Sequence, residues 1–260
     1  MREALWTEVL KARRSRLPWL TVGAFALATV VGGLFMFILQ NPDRARSLGL
    51  LGAKAQLAGG VSADWTGYLS FQAQTIAVGG VGIFGVTIIW LFGREFADHT
   101  AKDLLALPTA RRAIVVAKFL VGFAWSLLLA AEVFALGLIA GAVLRLSGWS
   151  WSLAGQGLGR LLLTATMTEG LLTVLALAAS VWRGYLGAVG TMFGILFLAQ
   201  VIAALGYGHL FPWSVPGVYS GLAGADRPTV GPLGFTLVAL VALAGLIATM
   251  AWWQRADQSR

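Results

Sequence analysis

The chain has 260 residues, of which 58% are hydrophobic and only 12% are charged, and its mean hydropathy is +0.80. Soluble globular domains lie far from these values, so the composition predicts an integral membrane protein. The absence of cysteine excludes disulfide bonds, thiolate catalysis and cysteine-bound metals. No lysine follows a glycine, so the chain has no Walker phosphate loop and cannot bind ATP by that route.

A segment at the start of the chain, 4–16, mixes apolar and basic residues, and we predict that it forms an interfacial helix along the inner membrane surface. Six apolar stretches follow, each long enough for the about 20 helical residues that cross a bilayer. They are 17–39, 73–92, 113–144, 161–181, 185–205 and 233–253. The first is too long for the core of a signal peptide, so we expect it to be retained. The fold prediction is therefore an all-α integral membrane protein with one transmembrane domain, 1–260.

Basic residues predict the orientation of these spans, because Lys and Arg near span ends are retained in the cytoplasm. Placing the N-terminus inside puts thirteen of the 19 Lys and Arg residues inside and six outside. We therefore predict that both termini are cytoplasmic. The net charge of +8 then reflects membrane topology, and the dispersed basic residues do not indicate a nucleic-acid partner.

A charged segment, 92–118, separates the second and third spans. Within it we predict a short amphipathic cytoplasmic helix, 94–107, because Asp98 and Lys102 have the spacing of a stabilising helical ion pair and Pro108 ends the helix. We expect this helix to contact a partner protein through apolar side chains and to be oriented on it by charged side chains. The anchors are Phe96, Leu104, Leu105 and Leu107, and the charges are Glu95, Asp98 and Lys102.

This segment resembles the coupling helix of permease subunits of type 2 ATP-binding-cassette (ABC) exporters. The family pattern has a Glu, a Gly-Thr pair, a Leu-Leu pair, a Pro, an Arg and a Lys that opens the third span. Here the pattern reads Glu95, His99-Thr100, Leu104-Leu105, Pro108, Arg111 or Arg112, and Lys118. The six spans and the N-terminal interfacial helix extend the resemblance over most of the chain. His99 replaces the family glycine, and we expect it to favour a continuous helix over a tight turn.

The resemblance implies that the helix docks in a cleft of a separate cytoplasmic ATPase, which binds ATP and Mg, so that this chain needs no cofactor and is not itself an enzyme. Two ATPases would rock two permease subunits, identical or homologous, within a bacterial cytoplasmic membrane. Charge reversal at Glu95 is then expected to uncouple activity while the protein stays in the membrane. The apolar spans suit a hydrophobic or amphipathic cargo, such as a peptide antibiotic or a lipid.

Few ionisable residues lie inside the spans, where a charge is costly unless it is paired. Glu132 and Glu169 are about ten residues, roughly 15 Å, from the outer ends of spans three and four, so we expect them at similar depth. Thr164 and Thr168 lie near Glu169 on one helical face, and these four residues are the candidate pathway. Each Glu is equally well explained as a protonated side chain that packs against a neighbouring helix.

Two other functions stay open. One is a proton-coupled secondary transporter that uses Glu132 and Glu169, although no internal repeat of the kind common in such carriers is evident. The other is a scaffold or sensor subunit without cargo. A metal site is not expected, because His99 and His209 are predicted on opposite sides of the membrane. An intramembrane hydrolase is not expected either, since its motifs are missing from the spans.

Overall fold

The computed structural model describes residues 1–41, 62–106, 108–222 and 229–255. Within these ranges the chain is helical, apart from turns and one isolated bridge between Asp64 and Ser147. The helices are α1 (Arg2–Arg14), α2 (Leu17–Gln40), α3 (Trp65–Ala97), α4 (Ala101–Ala106), α5 (Arg111–Val143), α6 (Trp151–Leu171), α7 (Thr173–Val181), α8 (Leu186–Ala204), α9 (Val215–Ser220) and α10 (Pro232–Arg255). The 3-10 turn Pro212–Ser214 precedes α9.

Among the described residues, six spans are long and apolar enough to cross a membrane: α2, α3, α5, α6 with α7, α8, and α10. The predicted all-α membrane fold is therefore confirmed. An N-terminal helix precedes the spans: α1 covers Arg2–Arg14, where a helix over 4–16 was predicted. Whether α1 lies in the membrane interface stays a prediction.

The second span is longer at both ends than the predicted 73–92. Asp64 caps its start: the Asp64 Oδ1 atom accepts hydrogen bonds from the Gly67 N–H at 2.8 Å and the Ser62 hydroxyl at 2.7 Å. The bond from Gly67 lowers the pKa of Asp64 below its ordinary value. Polar residues such as Gln72 therefore belong to the helix, and counting apolar residues alone missed about two turns at this end.

The fourth span is broken at Leu172, whereas a single helix over 161–181 was predicted. The Thr173 hydroxyl donates to the Gly170 carbonyl at 2.9 Å and to the Ala242 carbonyl of α10 at 3.1 Å. A side chain at Gly245 of α10 would collide with the Thr173 hydroxyl, so glycine permits this close approach. The break is thus held in place by contacts with α10.

Successive spans run in opposite directions, which contacts at both ends demonstrate. Glu95 at the end of α3 meets Lys118 near the start of α5, while Trp65 at the start of α3 packs on Gly141 near the end of α5. We call the end of the bundle that holds α1 the α1 end. The end of α10 lies there too, because the Trp253 indole donates to Ser180 at 2.9 Å, near the end of α7. Both ends of the described chain therefore share one side, the predicted cytoplasmic side.

Small residues bring α3 and α5 together. A Cβ atom at Gly137 would overlap the Gln72 side chain, and one at Gly141 would overlap the Trp65 ring. At Gly122 it would lie 2.6 Å from the Ile88 side chain. One face of α5 is therefore shaped to receive large side chains of α3.

We expect the substitution Gly141→Val to lower the free energy of unfolding by about 1–3 kcal/mol, because the added atoms would displace the Trp65 ring. The matched control is Gly155→Val on α6, where an added Cβ meets nothing within 4 Å. Thermal unfolding in detergent, followed by tryptophan fluorescence, measures both. Equal midpoints for the two variants would contradict the role given to Gly141.

Candidate coupling site

Four charged side chains meet at the α1 end, and we call them the ion network: Glu8 and Lys11 of α1, Glu95 of α3 and Lys118 of α5. The Lys118 ammonium donates to Glu95 Oε1 at 2.8 Å, to Glu8 Oε2 at 3.2 Å and to the Leu91 carbonyl at 2.6 Å. The Lys11 ammonium donates to Glu8 Oε1 at 2.8 Å and to Glu95 Oε1 at 3.0 Å. Two cations and two carboxylates thus balance, and three helices are joined.

Three of the four side chains of the ion network are shielded from solvent, and Lys11 is partly exposed. Lys118 has 0% of its surface exposed, and Glu8 and Glu95 have 3% each. An ammonium group has three donors, and all three of Lys118 are used, which offsets much of the cost of burying its charge. Burial alone would lower the pKa of Lys11, but the carboxylates of Glu95 and Glu8 raise it above its ordinary value. Lys11 therefore stays charged at physiological pH.

The burial of Glu95 changes the role expected for it. The sequence placed Glu95 on an exposed helix, but α3 continues to Ala97 and turns Glu95 inward against Lys118. Phe96 also faces inward, with its ring 5.9 Å from that of Trp252 and 5.8 Å from that of Trp253. Charge reversal at Glu95 would set a third cation beside Lys11 and the buried Lys118, so we expect misfolding rather than clean uncoupling.

A tight turn at His99 ends α3, so the expected continuous helix over 94–107 is wrong. His99 has a φ of 58°, in the left-handed region. The Thr100 N–H donates to the Glu95 carbonyl at 2.9 Å and the His99 N–H to the Phe96 carbonyl at 3.3 Å. These bonds form the Schellman motif that commonly closes a helix, usually with glycine at the left-handed position. His99 thus adopts the backbone conformation that the family glycine would adopt.

Beyond this turn the chain is largely exposed. We call residues 98–106 the coupling segment; α4 forms its second half. Asp98, Thr100 and Lys102 are exposed, as is Pro108 just after it, whereas Leu104 packs against the core. The Leu105 side chain and residue Leu107 lie outside the described part of the chain. The structure therefore divides the predicted contact residues into an exposed polar set and an inward set of Glu95, Phe96 and Leu104.

The candidate pathway residues of the fourth span are buried inside the bundle. The Ser126 hydroxyl of α5 donates to Glu169 Oε2 at 2.7 Å, and the Thr164 hydroxyl donates to the Arg160 carbonyl at 2.8 Å. Thr168 is fully buried and its methyl group faces α3, 3.4 Å from a Cβ built at Gly80. These contacts are those of helix packing.

Glu132 lies apart from Glu169. Glu169 meets α5 at Ser126, and a Cβ at Gly122 would lie 3.2 Å from Glu169 Oε1. Glu132 is six residues beyond Ser126, which is about 9 Å along a helix. Similar depth for the two carboxyl groups stays a prediction, although the contact at Ser126 is more than one helical turn from Glu132 along α5. The two outer span ends from which depth was counted are not level, because α6 begins at Trp151 rather than at 161.

A family model described as "ABC-2 family transporter protein" matches residues 4–200, which include the ion network, the coupling segment and the first four spans. The chain belongs to the ABC-2 transporter family. The bacitracin transport permease protein BCRB of Bacillus licheniformis is 26% identical to this ABC-2 chain over 179 residues, which cover 68% of the chain and 85% of the relative. The resemblance to ABC permeases is confirmed. This ABC-2 protein is the transmembrane subunit of an ABC transporter and an integral protein of the bacterial cytoplasmic membrane.

The sequence did not predict Glu8 or Lys11 as site residues, and it indicated Lys118 only through the resemblance to the family pattern. Glu8 stands alone among the basic residues at the end of α1, and Lys118 lies inside an apolar span whose nearest turns carry no carboxylate. An unpaired charge at such a place requires a partner on another helix. That requirement was visible in the sequence, but the identity of the partner depended on where α1 folds.

We expect Lys118→Met to lower the free energy of unfolding by about 3–5 kcal/mol, since it leaves Glu95 and Glu8 buried with less compensation. The double variant Glu95→Gln/Lys118→Met is expected to recover part of this loss, because it removes both charges of the pair. The exposed Lys102→Met is the control. Thermal unfolding and the yield of monodisperse protein measure the effects, and a Lys118→Met protein as stable as the control would refute the buried network.

We expect His99→Gly to raise the free energy of unfolding by about 1 kcal/mol, because glycine takes the left-handed conformation without steric cost. His99→Val is expected to lower it by at least as much, since a β-branched residue suits that conformation least. Thermal unfolding of both variants and the parent tests this order. If the glycine variant were less stable than the parent protein, the His99 side chain would be making contacts that outweigh the backbone strain.

Proposed function

We propose that this ABC-2 chain is the permease subunit of an ATP-driven exporter and that its coupling segment docks on a separate ATPase, which supplies ATP and Mg. The observation that carries the proposal is the position of the exposed coupling segment directly above the buried ion network. An exposed polar segment suits a protein partner, and a buried network beneath it suits the transmission of movement. The family assignment supports a partner ATPase.

The coupling segment is attached firmly to the helices on either side. The turn at His99 fixes it to α3, and the Glu95–Lys118 ion pair ties α3 to α5. Glu8 and Lys11 add α1 through the same carboxylate and ammonium groups. Arg111, at the start of α5, donates to the Trp253 carbonyl of α10 at 3.3 Å. Movement of the segment is therefore passed to four helices together rather than to one loop.

Two copies of the permease, identical or homologous, would enclose the path of the cargo. In support, only 11% of the apolar stretch of α8 is buried against the rest of the described chain. Phe193, Phe197, Leu198 and Val201 lie exposed on it. Such a surface suits contact with a second permease as well as with lipid.

The cargo we propose is an amphipathic peptide antibiotic, the class to which the cargo in the name of the Bacillus relative belongs. A cavity of about 200 Å³ lies between α3, α8 and the turn before α9, far from the ion network. Val78, Leu196 and Trp213 give it apolar walls, and Gln200 and His209 add polar groups. Its size suits one side chain of a peptide, because sites for whole drug-sized ligands are larger.

A proton-coupled carrier is less well supported. It would need Glu132 and Glu169 on one shared path, whereas Glu169 bonds to α5 at Ser126, six residues before Glu132. Glu169 is held by Ser126 in the packed interior. The proposal of an ATP-driven permease needs neither residue to move a proton.

A charge swap in the coupling segment, Lys102→Glu/Asp103→Lys, tests the docking. It keeps the net charge and alters two exposed side chains outside the ion network, so we expect normal stability. We also expect at least a tenfold loss of the P-loop ATPase recovered with the tagged protein from its native membrane in mild detergent, because orienting charges at an interface would be reversed. Mass spectrometry identifies and quantifies the ATPase.

The matched control is Arg2→Glu/Glu3→Lys, a swap of two exposed charges on α1. It should leave the recovery of the ATPase unchanged. Equal losses in both variants would show a general charge effect and not a docking site. Failure to recover any P-loop ATPase with the unaltered protein in several detergents would overturn the proposed function itself.

A further inference from the structure

A polar cleft opens at the α1 end between α1, the end of α3 and the start of α8. Its volume is about 450 Å³. One side of the cleft is a single face of α1, and the other side comes from α3 and from Tyr185. The lining residues are Thr7, Leu10, Lys11, Arg14, Ser15, Trp90, Arg94, Asp98 and Tyr185.

The described lining carries more cations than carboxylates, although Lys11 is already paired with Glu8 and Glu95 in the ion network. Lys11, Arg14 and Arg94 face one carboxylate, that of Asp98, which is 3.3 Å from the Arg94 Nε atom. Tyr185 also lines the cleft and carries a hydroxyl group, whereas the Thr7 hydroxyl already donates to the Glu3 carbonyl at 2.9 Å. Guanidinium groups with neighbouring hydroxyl groups are the donors that recognise a phosphate, since they offer several N–H and O–H bonds to its oxygens. The cleft therefore has the chemistry of a phosphate site.

Aromatic residues give the depth of the cleft in the membrane. The Arg94 guanidinium lies over the Trp90 ring, 5.0 Å from its centre. At the same end of the bundle Trp19 is 80% exposed and Trp182 is 67% exposed. Tryptophan gathers at the depth of lipid headgroups, so the cleft opens at that level of the predicted inner leaflet. Leu10 and Trp90 add apolar lining, which suits the glycerol and first acyl carbons of a lipid.

We propose that this cleft binds the phosphate headgroup of an anionic phospholipid from the inner leaflet. Arg14 and Arg94 donate to the phosphate oxygens from opposite sides, and Lys11 adds charge while it keeps its place in the ion network. Basic pockets at the cytoplasmic ends of spans are a known means of holding such headgroups. The lipid would join α1 to α3 on the open side of the network. This inference does not rest on the proposed function.

The test is a lipid titration of the purified protein in neutral detergent, with native mass spectrometry to count bound lipids. The probes are phosphatidylglycerol, phosphatidylcholine and inorganic phosphate. The variant Arg14→Gln/Arg94→Gln removes two cations from the cleft, and we expect it to weaken phosphatidylglycerol binding about 10- to 30-fold. The control Arg2→Gln/Arg13→Gln removes two exposed cations of α1 that do not line the cleft, and we expect less than about a threefold change.

Each contrary outcome is distinct. Equal weakening in both double variants would show diffuse attraction and overturn the site. Equal binding of phosphatidylcholine and phosphatidylglycerol would show that lipid charge is not recognised, and displacement of the lipid by millimolar inorganic phosphate would assign the site to free phosphate. If lipid binding were unchanged in the cleft variant but the pull-down from the native membrane recovered less P-loop ATPase, the cleft would instead bind an acidic protein surface. Should the double variant misfold, Arg14→Gln alone, at an exposed position, is expected to weaken binding about fivefold.

Discussion

Lys118 determines the arrangement of the α1 end, because a lysine without exposed surface in an apolar helix needs carboxylates around it. Glu95 comes from the preceding span and Glu8 from α1. The ends of α3 and α5 must therefore lie side by side, and α1 must fold back across them. The position of the coupling segment follows from this requirement, since it is the connection between the two helices that the ion pair joins.

Because Glu95 must lie beside Lys118, neighbouring residues of the charged segment 92–118 have different roles. Glu95 and Phe96 face inward and hold helices together, while Asp98 and Lys102 are exposed to solvent. The turn at His99 separates the two groups. Residues that stabilise the fold and residues that we propose for docking thus lie within a few positions of one another.

The sequence predicted the number of spans and the family, because both depend on long apolar runs and on local spacing. It failed where tertiary contacts decide. The polar start of α3 is helical because Asp64 caps it and α5 covers it, the turn at His99 forms despite the absence of glycine, and Glu95 is buried because Lys118 lies opposite. Each of these depends on a residue that is distant in the chain or on a backbone conformation that residue type does not reveal.

The break at Leu172 has a consequence for the mechanics of the whole bundle. Thr173 is bonded to α10, while Glu169, one turn earlier, is bonded to α5. The fourth span is thus tied by a polar side chain to one neighbouring helix on each side of the break. Under the proposed function, a displacement of α5 would therefore act on the fourth span before the break, and a displacement of α10 would act on it after the break.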